Sequence, residues 1–126
     1  MVPQDLRYTK DHEWVRVTGD MATVGITDYA AEQLGDIVFV ELPEIGRAVV
    51  QATAIGVIES VKAVSDLFAP IGGEVVESNS ELSTQPELIN SDPFGKGWML
   101  RVKVNDAGQV AGLLDAAAYE ALIAEA

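Results

Sequence analysis

A mainly β domain with one short helix and a helical C-terminus is predicted by three features of the sequence. Trp98, Leu100, Val102 and Val104 alternate with Met99, Arg101 and Lys103, and a period of two belongs to a half-buried strand. Elsewhere, short runs rich in Val and Ile are punctuated by Gly, Pro and Asp, the pattern of strands joined by tight turns. Only two segments have helical character, and each begins at a capping residue: Thr27 before Asp28–Leu34, and Asp106 before an Ala/Leu-rich C-terminus.

In chain order, residues 15–17 and Met21–Ile26 flank Thr18-Gly19-Asp20, which suits a hairpin with a three-residue loop. Thr27 caps the short helix, and Gly35 stands at its C′ position. Residues 37–42 form a β-branched and aromatic strand stopped by Pro43-Glu44-Ile45-Gly46. Further strands are expected at 54–61, 66–69 and 74–77. The 80–97 segment, with Pro86, Asn90 and Pro93, is the longest irregular stretch. From Asp106 to the end, Asp106 and Asp115 cap one or two helices, whose stripe of Ala118, Leu122, Ile123 and Ala126 is expected to pack on the sheet. A faint echo links Pro43-Glu44-Ile45-Gly46 with Pro70-Ile71-Gly72-Gly73, and Gly56-Val57-Ile58-Glu59-Ser60 with Gly73-Glu74-Val75-Val76-Glu77-Ser78.

Length and composition exclude whole classes of function. The 126 residues suffice for one domain, with a core at about 6–104 and a helical segment at 106–126. Twenty Asp+Glu against eight Lys+Arg give a net charge of −12, so nucleic acid backbones and anionic membranes are repelled. There is no cysteine and only one histidine, His12, which removes disulfides, thiolate nucleophiles and multi-histidine metal sites. No EF-hand spacing is present, and Gly95-Lys96-Gly97 is neither a P-loop nor a dinucleotide fingerprint. The chain is expected not to be an enzyme. The start lacks a targeting pattern, and the uncharged stretch at 48–58 is far short of a membrane span. The expectation is a soluble, cytoplasmic protein.

One residue stands out from this acidic background. Lys62 is the only basic residue between Arg47 and Lys96, and strand-like runs bracket it, so it sits at or beside a hairpin tip. Such a tip projects a side chain toward other proteins. On its own, a turn lysine is an ordinary solvated side chain.

The residues around it change that reading. Glu59-Ser60-Val61-Lys62-Ala63, continuing through Ala69-Pro70-Ile71-Gly72-Gly73, resembles the attachment hairpin of the lipoyl/biotinyl domains. More closely, it resembles the lipoylation motif of the glycine cleavage system H proteins. The similarity extends to Tyr8-Thr9-Lys10-Asp11-His12-Glu13-Trp14-Val15, to Gly25-Ile26-Thr27-Asp28-Tyr29-Ala30 and to the 34–43 segment. It continues through Pro86-Glu87-Leu88-Ile89-Asn90 and Gly97-Trp98-Met99, so that residues 6–125 are covered in order. Gln51-Ala52-Thr53-Ala54-Ile55 and Ser80-Glu81-Leu82-Ser83 depart from the commoner strings, and Asp11 replaces the Ser of some members.

The resemblance implies a barrel-sandwich hybrid, a flattened antiparallel β sandwich bearing a lipoyl-lysine hairpin. It implies lipoic acid in amide linkage to Lys62, carrying an aminomethyl group from glycine decarboxylase (the P protein, with pyridoxal phosphate) to the aminomethyltransferase (the T protein, with tetrahydrofolate). Dihydrolipoyl dehydrogenase (the L protein, with FAD) reoxidises the arm, and a lipoate ligase or a lipoyl/octanoyl transferase attaches it. Glu13 and Asp66 match family positions that cradle the loaded arm, where a carboxylate pairs with a basic nitrogen. His12 is expected to pack or hydrogen-bond, since no nucleophile accompanies it. Alternatives are a lipoyl relay to other complexes, a biotin carrier, a Schiff-base enzyme and an unmodified β-rich interaction domain. Val61-Lys62-Ala63 argues against the Met-Lys-Met of biotin carriers, and a Schiff-base lysine calls for burial that an exposed tip denies.

Overall fold

Gly19 and Asp20 set the turn from which the larger sheet grows. In the computed structural model, which describes residues 2–125, β2 (Glu13–Thr18) and β3 (Met21–Ile26) pair with Thr18 opposite Met21. The loop is therefore two residues long, not three. Gly19 takes φ 64°, the positive value that a tight two-residue hairpin demands at its first loop position.

The larger sheet adds β1 (Arg7–Tyr8), β5 (Ala48–Val49), β8 (Gly73–Ser78) and β9 (Leu100–Val104) in the order β1-β2-β3-β9-β8-β5. A second, three-stranded sheet has the order β4-β6-β7, from β4 (Ile37–Glu41), β6 (Ala54–Ser60) and β7 (Val64–Phe68). All pairings are antiparallel. The inner faces enclose one core, including Val24, Ile58, Leu67, Ile71, Val75 and Leu100, so the molecule is the flattened sandwich expected. The two echoed Pro-x-x-Gly segments each carry the chain from the smaller sheet into the larger, and the strands they lead to, β5 and β8, pair with each other.

Four strands differ from expectation at their starts: β2 begins two residues early, at Glu13, β8 one residue early, at Gly73, and β9 and β7 differ as well. β9 begins at Leu100, because Trp98 and Met99 leave the 93–97 turn before the pleat is established. Alternation therefore does not govern Met99, which is fully buried and donates its N–H to the Val24 carbonyl at 2.8 Å. β7 begins two residues early, at Val64, since pairing with Glu59 extends to the tip.

The helices follow their caps. In α1 (Asp28–Leu34), Thr27 Oγ1 accepts from Ala30 N–H at 3.2 Å, and Gly35 closes the end at φ 84°. The irregular 80–97 stretch contains a 3-10 turn at Ser80–Ser83 and one turn of helix, α2 (Leu88–Ser91). Asp106 and Asp115 cap α3 (Ala107–Ala111) and α4 (Ala116–Ala124). The packing stripe of α4 is as expected at Leu122 and Ile123, which pack against the core, but Ala116 and Tyr119 take the buried positions and Ala118 is exposed, while Ala126 lies outside the described residues. The larger ring wins the inward position because Tyr119 stacks on Tyr8, with centroids 4.7 Å apart. Together with Val2, Leu6 and Trp14 they form a second core joining the chain's two ends.

Trp14 lies directly opposite Gly25, and its indole occupies the space a Cβ would need: a methyl at Gly25 would approach the ring to 2.7 Å. Its Nε1–H is also fixed, donating to the Pro93 carbonyl at 2.9 Å. Gly25→Ala should therefore destabilise the fold by about 1–3 kcal/mol in urea unfolding. An unchanged midpoint would show that the ring moves aside freely.

Candidate functional site

The smaller sheet ends in a hairpin tip, Val61-Lys62-Ala63, beyond the last pair, Glu59 with Val64. Hydrogen bonds shape it. Ser60 N–H donates to the Ala63 carbonyl at 2.8 Å, and Ser60 Oγ accepts from the N–H groups of Lys62 and Ala63 at 3.2 and 3.0 Å. Ser60 thus gives the Glu-Ser-Val-Lys-Ala string a physical meaning as a turn clamp. Val61 N–H donates to the Asp36 carbonyl at 3.0 Å, tying the tip to the end of α1. The Asn90 side chain fixes that end, accepting from Ile37 N–H and donating to the Gly35 carbonyl, both at 2.9 Å. Lys62 is exposed, and its stem passes over Gly35, where a Cβ would stand 3.3 Å from Cε.

Beside the stem opens a cavity of about 310 Å³, bordered by His12, Glu13, Tyr29, Leu34, Ser65 and Asp66 among others. Glu13 and Asp66, singled out separately in the sequence, meet here. Glu13 is only 2% exposed. Burial pushes its carboxyl up to about 7, against the opposing effect of a hydrogen bond from Thr9, while the charge of Asp11 adds to the rise and the Phe68 backbone N–H offsets part of it. Thr9 Oγ1 donates to Oε1 at 2.5 Å.

Asp66 is placed differently from what its charge suggests. β7 is an edge strand, and the bonds flanking it, Ser60 N–H to Ala63 C=O and Ala69 N–H to Thr53 C=O, direct the odd-numbered residues' backbone groups toward β6. The even-numbered residues' groups then point to the open edge, as Phe68 N–H does toward Glu13. Asp66 therefore directs its carbonyl to the open edge of β7, and the residue lines the cavity beside Ser65. Its side chain, paired with Val57, lies on the face opposite Ser65 and the buried Leu67.

His12 acts as a tether. It sits at φ 71°, with Nδ1 2.8 Å from Tyr119 Oη, which in turn is 2.7 Å from Thr27 Oγ1. Burial lowers the imidazole's affinity for a proton, with the charge of Asp11 opposing. The N-cap of α1 is thereby joined to α4. Sequence reading missed Thr9, Asn90 and Tyr119 as supports of the site. Asn90 and Tyr119 act across long sequence separations that no local pattern encodes.

A two-sheet β sandwich presenting an exposed lysine on a braced hairpin tip is the arrangement of the lipoyl/biotinyl class of carrier domains that the sequence resembles. The family model described as glycine cleavage H-protein matches residues 6–126. A glycine cleavage system H protein of Symbiobacterium thermophilum is 55% identical over 98% of this chain and 97% of its own length. That of Bacteroides thetaiotaomicron is 54% identical over 96% of both. The crystal structure of the H protein of Mycobacterium marinum superposes with a TM-score of 0.90 at 42% identity, covering 98% of this chain and 99% of the other. The chain belongs to the glycine cleavage H-protein family, the lipoyl carriers of glycine cleavage.

The proton on Glu13 makes stability depend on pH. Between the ordinary carboxyl value of 4.5 and about 7, the folded chain holds a proton that the unfolded chain releases. This group's contribution is therefore full below about 4.5 and is lost as pH rises through about 7. Glu13→Gln stays neutral throughout, so its urea midpoint relative to wild type should shift in the variant's favour from pH 4 to pH 8. A constant difference would place the Glu13 proton elsewhere.

Proposed function

We propose that this chain carries a lipoyl group in amide linkage to Lys62 and works as one unit of 126 residues, with no catalytic step of its own. The observation that carries the reading is the stem of Lys62 crossing Gly35, the residue after Leu34, which lines the Glu13 cavity. Gly35 leaves room for that stem, and Ser60 and Asp36 hold the tip against recoil. Attachment requires the Lys62 amine, stripped of its ammonium proton, to attack an activated carboxyl carbon. The C–N bond forms, the bond to the leaving group breaks, and a second amine proton is lost.

When bound, the lipoyl group supplies the redox-active sulfurs that take up and give back an aminomethyl group in a chain without cysteine. Asp66 lies four residues along the strand from Lys62, about 13 Å, within the reach of a lipoyl-lysine on the order of 15 Å. Glu13 offers the carboxylate for a cationic amine, and the Asp66 carbonyl a neutral acceptor beside it. The cavity walls hold the amine away from bulk water.

The partners follow from the family: glycine decarboxylase, the aminomethyltransferase, dihydrolipoyl dehydrogenase, and a lipoate ligase or lipoyl/octanoyl transferase. Their common requirement is access to one tip, and tethering raises the arm's effective concentration at each docked active site. We place this work in the cytoplasm; among the described residues no helix is long and apolar enough to cross a membrane.

Incubation with a lipoate ligase, lipoate and ATP should add one lipoyl group, mapped by fragmentation to Lys62 among the other lysines. Lys62→Arg should abolish the addition. Modification of that variant at the wild-type rate would falsify the assignment.

A further inference from the structure

Four exposed apolar side chains gather beside Lys62: Val38 (52% exposed), Phe39 (50%), Val61 (69%) and Val64 (69%). Phe39, Glu59 and Val64 form one row across the outer face of the smaller sheet. The register shifts between Ile37 and Phe39, so Val38 is an extra residue. Alternation would turn one of two successive side chains inward, whereas this bulge leaves both in the open. The Asp36–Val61 bond holds the start of β4 against the tip. Glu41 and Asp66 flank Val57 in the next row of the same face. Between Arg16 and Lys96, the only cations in the chain are Arg47 and Lys62.

Reach decides which partner such a face serves. An unmodified Lys62 extends about 6 Å from Cα to Nζ, and an acyl donor must come within about 3–3.5 Å of the amine. The attaching enzyme must therefore cover the tip itself. Enzymes served by a completed arm work from a distance on the order of 15 Å and need not touch these residues.

Resting on the lipoyl reading above, we propose that Val38, Phe39, Val61 and Val64, bordered by Glu41, Glu59 and Asp66, form the docking surface for the enzyme that attaches the lipoyl group. The complementary surface is an apolar depression with Lys or Arg at its rim. With a ligase, the Lys62 amine displaces AMP from the lipoyl adenylate: the amide C–N bond forms, the carboxyl-to-phosphate C–O bond breaks, and the amine proton is released.

The test is ligase kinetics on the full chain with lipoate and ATP. Phe39→Ser and Val64→Thr should each raise the KM for the carrier about tenfold, with kcat within about twofold. Val38→Thr, the milder change, should act in the same direction. Val50→Thr, an equally exposed valine outside this face, should match wild type. Melting curves of the exposed-site variants should overlay wild type. Wild-type KM values for Phe39→Ser and Val64→Thr would overturn the proposal, as would normal attachment combined with impaired aminomethyl transfer, which would assign the face to an arm-served enzyme. A wild-type chain left unmodified at Lys62 would instead refute the carrier reading.

Discussion

A hairpin tip has no core beneath it, so the position of Lys62 depends on hydrogen bonds made behind it. The chain of support begins at Asn90, whose amide bridges the Gly35 carbonyl and the Ile37 N–H. That bridge fixes Asp36, Asp36 receives Val61 N–H, and Ser60 Oγ closes the turn around Lys62. Each link fixes orientation with a neutral hydrogen bond, whose strength, unlike that of an exposed salt bridge, does not fall as dissolved salt screens charge. The longest irregular segment of the sequence, 80–97, therefore has a specific role: α2 delivers Asn90 to the end of α1.

The groove itself is built from the meeting of an edge strand with a buried acid. β7 leaves backbone groups unpaired with any strand, and the buried Glu13 of β2 lies near one of them, Phe68 N–H, which holds the Glu13 carboxyl down a little against burial. Burial that would be costly for a permanent anion is tolerable for a carboxyl that holds its proton near neutrality. The same side chain thus lines the cavity with a carboxyl that can take up or release a proton near neutrality. The His12–Tyr119–Thr27 contacts secure the adjacent wall from the C-terminal helix, so the chain's last helix contributes to a site far from it in sequence.

What the sequence made legible was local. Thr27, Asp106 and Asp115 each cap a helix through a side-chain oxygen acting two or three residues away, and Lys62 stood out because its neighbours are acids and turn formers. The resemblance to a known family supplied Glu13 and Asp66, which the structure brings to one cavity. Their different presentation, carboxyl for one and backbone for the other, depends on strand parity counted from the tip. The Met99 burial and the Tyr119 stripe eluded pattern reading because each is settled by a partner distant in sequence, Val24 in β3 and Tyr8 in β1. The Thr18 boundary turns instead on a local pairing with Met21 that tightens the loop by one residue.

The β4 bulge has a second consequence. β4 is an outer strand of the smaller sheet, and a regular outer strand with exposed Val and Phe is a template for pairing with a second copy, the first step toward fibrils and amorphous aggregates. An extra residue breaks the even spacing of backbone donors and acceptors that such templating needs. The same distortion that leaves Val38 and Phe39 in the open thus spoils the strand for self-recruitment. An exposed apolar face is thereby separated from a strand edge suited to self-pairing.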